Sequence, residues 1–424
     1  MKFEPQLHKL SNGITVLLDP MDIESVSMEF TSHTGGRDES ESELGITHFM
    51  EHIFMKGTPL HPSPRSIKDY IENNAGTINA STGNSSVQIY GRILSQNLVV
   101  LAELVSDLLK NSLFDEKIIE NEKPVILDEY RRSRDDKDRE FFHFQADKLF
   151  NGSGFANRIL GTPDTIQSFN REQLLKYKDT RISARNSIIA ISGKINDSSA
   201  LLEKLEDLFS WLPSIDVSSN SEIKITPTSA HNLKPEQKNV MLRIGFADVW
   251  PQTFENRFRQ QCMARFESIL SRRLHDKVRN ENGLVYGIGT SGIGNENTFV
   301  NQISTNSAPG NLEKIVFLCA NVSAEILNKK LITQEELNID KTRRLLGDAD
   351  FLESPTSRCD RLIDFYRKFE KLYDYYDTVR MGKSITLEDV YENTKDYFLN
   401  PVGILTQGPE FDADLKSIWE ESFK

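Results

Sequence analysis

Residues 45–58 read GITHFMEHIFMKGT and place His48, Glu51 and His52 within five positions. An α-helix turns about 100° per residue, so the two histidines stand about 40° apart and Glu51 about 60° to the other side of His48. Two imidazoles at that spacing can both reach a Zn2+ ion at about 2.0–2.1 Å. A carboxylate beside them can take a proton from a water held by the metal. The order H-x-x-E-H is that of the inverted zinc-peptidase motif. A match this short arises by chance in roughly one chain of this length per hundred. A catalytic zinc also needs a third protein ligand. On these positions alone, two helix-surface histidines beside a solvated glutamate stay open as a reading.

The elements that must hold such a site are read from periodicity. "GITVLLD" (13–19) and "SVSMEFTS" (25–32) alternate apolar positions and predict strands. The turn-rich "HTGGRDES" leads into the motif helix, and "SPRSIKDYIENNAG" predicts a helix closed near Gly76. "TINASTGNSSVQIYGRIL" predicts a strand pair turning at Thr82-Gly83-Asn84. A long helix is expected over about 96–109, with more helix after Asp115. Residues 212–237 are rich in Ser, Pro, Asn and Thr, as linkers are, and "NVMLRIGFA" then opens a second unit.

The two halves end alike. Asn170 and Thr386 each stand as the N-cap of a helix that leads through a short loop into an apolar strand, closing at Gly193 and Gly408. The separation, 408 − 193 = 215, is about half of the 424 residues and points to one duplicated fold. The expectation is an α+β protein of two homologous α/β-sandwich domains, each a mostly antiparallel sheet packed with helices. Their ranges are 1–212 and 238–424, with a linker at 213–237.

Composition narrows the partners. A formal net charge of −12 argues against a nucleic-acid backbone. No stretch approaches the about 20 apolar residues of a membrane span. The N-terminal "MKFEPQLHKLSNG" has no apolar or Arg-rich targeting pattern, so a cytoplasmic location is the default expectation. The three cysteines form no C-x-x-C pair, which points to neither a disulfide framework nor a thiolate zinc site. There is no G-x-S-x-G elbow and no G-x-x-x-x-G-K-[ST] loop, which sets aside serine hydrolase and P-loop readings. His143 and His275 lack partners at ligand spacing and read as packed or surface histidines.

The motif also sits in a wider frame. With Gly45, Gly57 and Thr58 it reads Gly-x-x-His-x-x-Glu-His-x-x-x-x-Gly-Thr. "NEKPVILDEYRR" places Glu129 77 positions after His52, since 129 − 52 = 77, and Glu122 seven before Glu129. In this frame the chain resembles the pitrilysin, insulin-degrading enzyme and mitochondrial processing peptidase family of zinc peptidases. The resemblance runs over nearly the whole chain, strongest from Leu10 to Arg132 and weak from about Asn311 to Asp377.

The resemblance implies a metallopeptidase half-clamshell with one Zn2+ per chain on His48, His52 and Glu129. It implies hydrolysis of unfolded oligopeptides inside a closed chamber, with Glu51 as general base and Glu122 in a supporting catalytic role. Pro124 lies between Glu122 and Glu129, where a helix is expected to kink or restart. Asn79, Ala80 and Thr82 match a strand that binds substrate by main-chain pairing. Arg279 and Tyr286 match an Arg-x6-Tyr element that donates to the polarised carbonyl oxygen. Short members of the family build their chamber from two chains. The implied assembly is therefore a homodimer in which Arg279 and Tyr286 act in trans. A different partner chain, or a non-catalytic subunit of a processing-peptidase-like complex, is the alternative.

Overall fold

In the computed structural model, the residues described are 2–217, 225–247, 253–294, 299–329, 331–398 and 401–422. Six strands form the first sheet: β1 (Gln6–Lys9), β2 (Thr15–Pro20), β3 (Ser25–Ser32), β4 (Gly76–Thr82), β5 (Val87–Leu94) and β6 (Ser187–Gly193). Their order is β1-β2-β6-β3-β5-β4, antiparallel except for β2 beside β6. The second sheet holds β7 (Ala230–Leu233), β8 (Val240–Ala247), β9 (Ile288–Gly294), β10 (Phe299–Ser307) and β11 (Pro401–Gly408). Its order is β7-β11-β8-β10-β9, antiparallel except for β7 beside β11.

Without β1, the two sheets have one strand order, and the parallel pair falls at the same place in each. The fold is α+β and duplicated. Both predicted caps are present: Asn170 accepts from the Gln173 N–H at 3.0 Å, and Thr386 from the Asp389 N–H at 3.1 Å. The strand pair turns where the sequence places it, with Thr82 opposite Val87 and the Gly83 N–H donating to the Ser86 carbonyl. β7 lies inside the stretch expected to be linker. It is four residues long and pairs with one strand only, too short for a period to show. Residues 218–224 of that stretch lie outside the described residues.

The chain forms two compact units that are not continuous in sequence. One holds 1–136, 153–222 and 348–373; the other holds 137–152, 223–347 and 374–424. In unit 1 the period-2 alternation of β3 sends Val26, Met28 and Phe30 into the apolar core with Phe49, Leu101 and Phe209. The opposite face carries Ser27, Glu29 and Thr31, also buried. Helix Pro355–Phe369, from far along the chain, covers that face, packing on β2, β3 and β6. Its Arg358 donates to both Asp19 oxygens at 3.1 Å, with both side chains fully buried. Thr356 meets Ser27 at 2.9 Å.

Unit 2 is covered in the corresponding way. Helix Lys137–Leu149 packs on β7 and β11, and Gln145 donates to Gln302 of β10 at 2.6 Å. Helix Glu116–Asp135 ends just before helix Lys137–Leu149, parted from it at Asp136, whose backbone is extended (φ −76°, ψ 113°). Among the described residues no helix is long and apolar enough to cross a membrane.

Candidate metal centre

Helix Ile46–Phe54 carries the motif. It starts after Gly45, whose φ of 88° favours glycine, and a Cβ there would meet the backbone of Gly161 at 2.8 Å. The Glu39 carboxylate accepts from the Gly45 N–H at 2.7 Å and the Thr47 N–H at 2.9 Å, satisfying donors that a helix start leaves open. Ile46, Phe49, Met50, Ile53 and Phe54 are all in the core. This leaves positions 48, 51 and 52 for the face away from it.

Glu129 comes from helix Glu116–Asp135. Its Oε2 stands 3.7 Å from His48 Nε2 and 3.6 Å from His52 Nε2, and the ring centroids of the two histidines are 4.6 Å apart. These separations are too long for hydrogen bonds. Ligands at about 2.1 Å from a tetrahedral ion lie about 3.4 Å from one another, so the observed spacings fit an ion between them. The three residues offer one ligand atom each, all within 4.8 Å of one another. Burial first, and then the neighbouring His52, pushes the His48 imidazole down to about 3, so His48 is neutral with a lone pair to offer. Its Nδ1 is buried and has no hydrogen-bond partner among the described residues.

Around this set the remaining groups are tied down. His52 Nδ1 donates to Glu122 Oε1 at 2.7 Å, which turns the Nε2 lone pair toward Glu129. Lys56 Nζ holds the other Glu122 oxygen at 2.7 Å. Burial alone would raise the Glu122 carboxyl, but the bonds from His52 and Lys56 outweigh it and keep it below the usual carboxylate range. Glu51 is raised, by burial first and by Glu129 second, while Thr82 and His52 oppose the shift. The Thr82 hydroxyl donates to Glu51 Oε2 at 2.7 Å.

Pro124 does not divide its helix. One helix runs through it, and Glu122 is 4% exposed on the same face as Glu129. The proline leaves the Glu120 carbonyl without its i+4 donor, and both residues are exposed, so water can take that place. β4 is the edge strand of its sheet. On it Asn79 is exposed and donates to the Tyr90 hydroxyl at 3.3 Å, while Ala80 is buried. Sequence reading missed Lys56 and Glu39. Lys56 stands four residues after His52, a helical spacing that could have marked it; Glu39 lies in a turn and carries no such signal.

Arg279 and Tyr286 belong to unit 2. Helix Arg257–Leu274 continues as a π-helical turn, His275–Glu281, and Gly283 (φ 65°) reverses the chain before β9. Tyr286 is 89% exposed, with the Arg279 guanidinium 5.0 Å over its ring. Arg279 Nη1 donates to His275 Nε2 at 2.9 Å. The structure thus brings Arg279 and Tyr286 together and gives the discounted His275 a partner.

Residues 16–163 match the family described as Insulinase (Peptidase family M16), and residues 168–343 match the Peptidase M16 inactive domain. A protein named an uncharacterized zinc protease from Rickettsia bellii is 28% identical over 413 residues, 96% of this chain and 98% of its own. The mitochondrial-processing peptidase subunit beta of Dictyostelium discoideum is 30% identical over 217 residues, 51% of this chain and 46% of its own. A solved protease from Helicobacter pylori shares the fold with a TM-score of 0.82 at 18% identity, covering 96% of this chain and 100% of its own.

Proposed function

The chain belongs to peptidase family M16, and from that membership we propose that it is a zinc metalloendopeptidase acting on unfolded oligopeptides. The observation that carries the reading is Glu129 Oε2 at 3.7 and 3.6 Å from the Nε2 atoms of His48 and His52, beside Glu51. Zinc bound there would polarise the scissile carbonyl and acidify a water.

The chain's own residues supply the rest. His48 and His52 would hold the ion through their Nε2 atoms, and Glu129 through a carboxylate oxygen. Glu122 fixes the His52 tautomer by accepting its Nδ1 proton. Glu51 takes the proton of the attacking water and returns it to the leaving amine. Burial raises its basicity, and the Thr82 hydroxyl holds one of its oxygens in place. The open edge of β4, at Asn79 and Ala80, pairs with the main chain of an extended substrate, which gives affinity with little demand on sequence. In a homodimer, Arg279 and Tyr286 of each chain donate to the developing oxyanion at the other chain's metal site, within a chamber closed by the two chains.

The test gives a long unstructured peptide to the purified protein and to Glu51→Gln, with fragments followed by mass spectrometry. The expected result is cleavage by the unmodified protein alone, with zinc retained in both. Equal cleavage by both would mark a contaminating protease. Cleavage by neither, over several peptides, would replace the reading with that of a non-catalytic subunit or of a chain needing another partner.

A further inference from the structure

Beside Arg279, unit 2 has a pocket of about 440 Å³ that none of the steps above uses. Its lining includes Ser271, Arg272, His275, Asp276 and Arg343. By sheet order β9 is the counterpart of β4, and helix Gln334–Glu353, which supplies Arg343, follows β10 after one intervening helix, as helix Glu116–Asp135 follows β5. The pocket therefore lies among the elements that in unit 1 surround the metal-ligand set. There they present lone pairs, which suit a cation. In unit 2 they present guanidinium and hydroxyl donors, which suit an anion.

Both guanidiniums line the pocket and are only partly engaged by the protein. Arg272 gives one guanidinium N–H to the Glu336 carbonyl at 3.0 Å, but its Nε is buried and has no hydrogen-bond partner among the described residues. Arg343 is exposed and forms no ion pair among the described residues. The acid in the lining, Asp276, is exposed and already accepts from Asn280 at 2.8 Å. Two guanidiniums meeting in one pocket locally reverse the sign of a chain whose net charge is −12. His275 forms the wall toward Arg279, which donates to it at 2.9 Å.

We propose that this pocket binds a carboxylate of the peptide substrate, next to the Arg279–Tyr286 element. The proposal rests on the peptidase reading. Guanidinium donors match a carboxylate in a planar, two-pronged geometry. An unmodified peptide carries its negative charge only on acidic side chains and on its C-terminus. The two sources share one chemistry and are separated by the experiment.

Three fluorescent peptides with one common core are titrated against the full-length Glu51→Gln protein and followed by anisotropy. One is neutral and amidated, one is amidated with two internal glutamates, and one is neutral with a free C-terminus. At least one carboxylate peptide should bind about three- to tenfold more tightly than the neutral one, and added salt should shrink the margin. A gain for the glutamate peptide assigns the pocket to acidic side chains; a gain for the free terminus assigns it to chain ends. The margin should vanish in Arg343→Gln and invert in Arg343→Glu, both made at an exposed position away from the core. Equal binding of all three peptides, or a margin that survives Arg343→Glu, overturns the proposal. Cleavage of the neutral peptide by the unmodified protein, run in parallel, tests the peptidase reading separately. Its failure beside an intact margin would leave the pocket standing without the enzyme.

Discussion

His52 Nδ1 donates to Glu122 Oε1 at 2.7 Å, and that bond decides which nitrogen of His52 faces the metal position. Glu122 is in turn anchored by Lys56 at 2.7 Å. Replacing Glu122 by Ala should weaken zinc binding about 10- to 100-fold, the usual consequence of losing a ligand's supporting partner. Glu122→Gln, which keeps an acceptor oxygen, should lose less. Competition with a chelating dye reads the affinity directly, and equal affinities in all three proteins would remove Glu122 from any role in holding the metal.

The His275–Arg279 bond makes a second prediction. His275 Nε2 can accept from Arg279 only while that nitrogen carries no proton. On the role proposed for Arg279, His275→Leu should lower kcat about tenfold with KM little changed, because the guanidinium loses the partner that fixes its position. His275→Gln, whose amide oxygen can accept the same N–H, should recover part of the loss. A change in KM alone would show that the histidine shapes binding instead.

The buried pair Asp19–Arg358 is predicted to matter for stability. Both side chains are fully buried, and Ser192 also donates to Asp19 at 3.0 Å. Arg358→Leu leaves the carboxylate without its cation and should destabilise unit 1 by about 3–5 kcal/mol. The double variant Asp19→Leu/Arg358→Leu should lose less than the sum of the single changes, since no unpaired charge stays buried. Urea unfolding of the four proteins measures both.

A pH dependence follows from Glu29. Burial, together with Asp360 and Asp364, raises its carboxyl to about 7, although Thr31 opposes the shift. Between an ordinary carboxylate pKa and about 7, the folded protein then holds a proton that the unfolded chain has released. Stability from this group is complete below that window and falls as pH rises through it. The drop should be on the order of 3 kcal/mol. Glu29→Gln should flatten it. An unchanged slope in the urea midpoint between pH 5 and 8 would exclude Glu29 as its source.

Much of the site was legible because its residues obey helical spacing. His48, Glu51 and His52 share one short helix, and Glu129 sits at a fixed distance along the chain. Glu122 was harder, since Pro124 predicts a break that exposed neighbours and solvent absorb. His275 carries no such mark, because a partner for an arginine has no metal-ligand spacing. The duplication could be read from the matched caps at Asn170 and Thr386. Which helix covers which sheet could not. Periodicity reports that a helix has an apolar face, not what that face meets. Helix Pro355–Phe369 buries an arginine among Cys359, Leu362 and Ile363, and its partners, the Asp19 carboxylate and the Lys2 and Leu352 carbonyls, all lie outside that helix.

The crossing of helix Pro355–Phe369 onto the first sheet also sets an order of events at the ribosome. That helix begins 162 residues after β6 ends, since 355 − 193 = 162. At about 5–20 residues per second, some 8 to 32 seconds separate their synthesis. Through that interval one face of the nascent sheet has no cover. The side chains waiting there include Asp19, Ser27, Glu29 and Thr31, all of which water solvates well. A sheet with an apolar back face would spend the same interval as a template for aggregation. The polar groups that look out of place in a finished interior are, through that interval, groups that water can solvate.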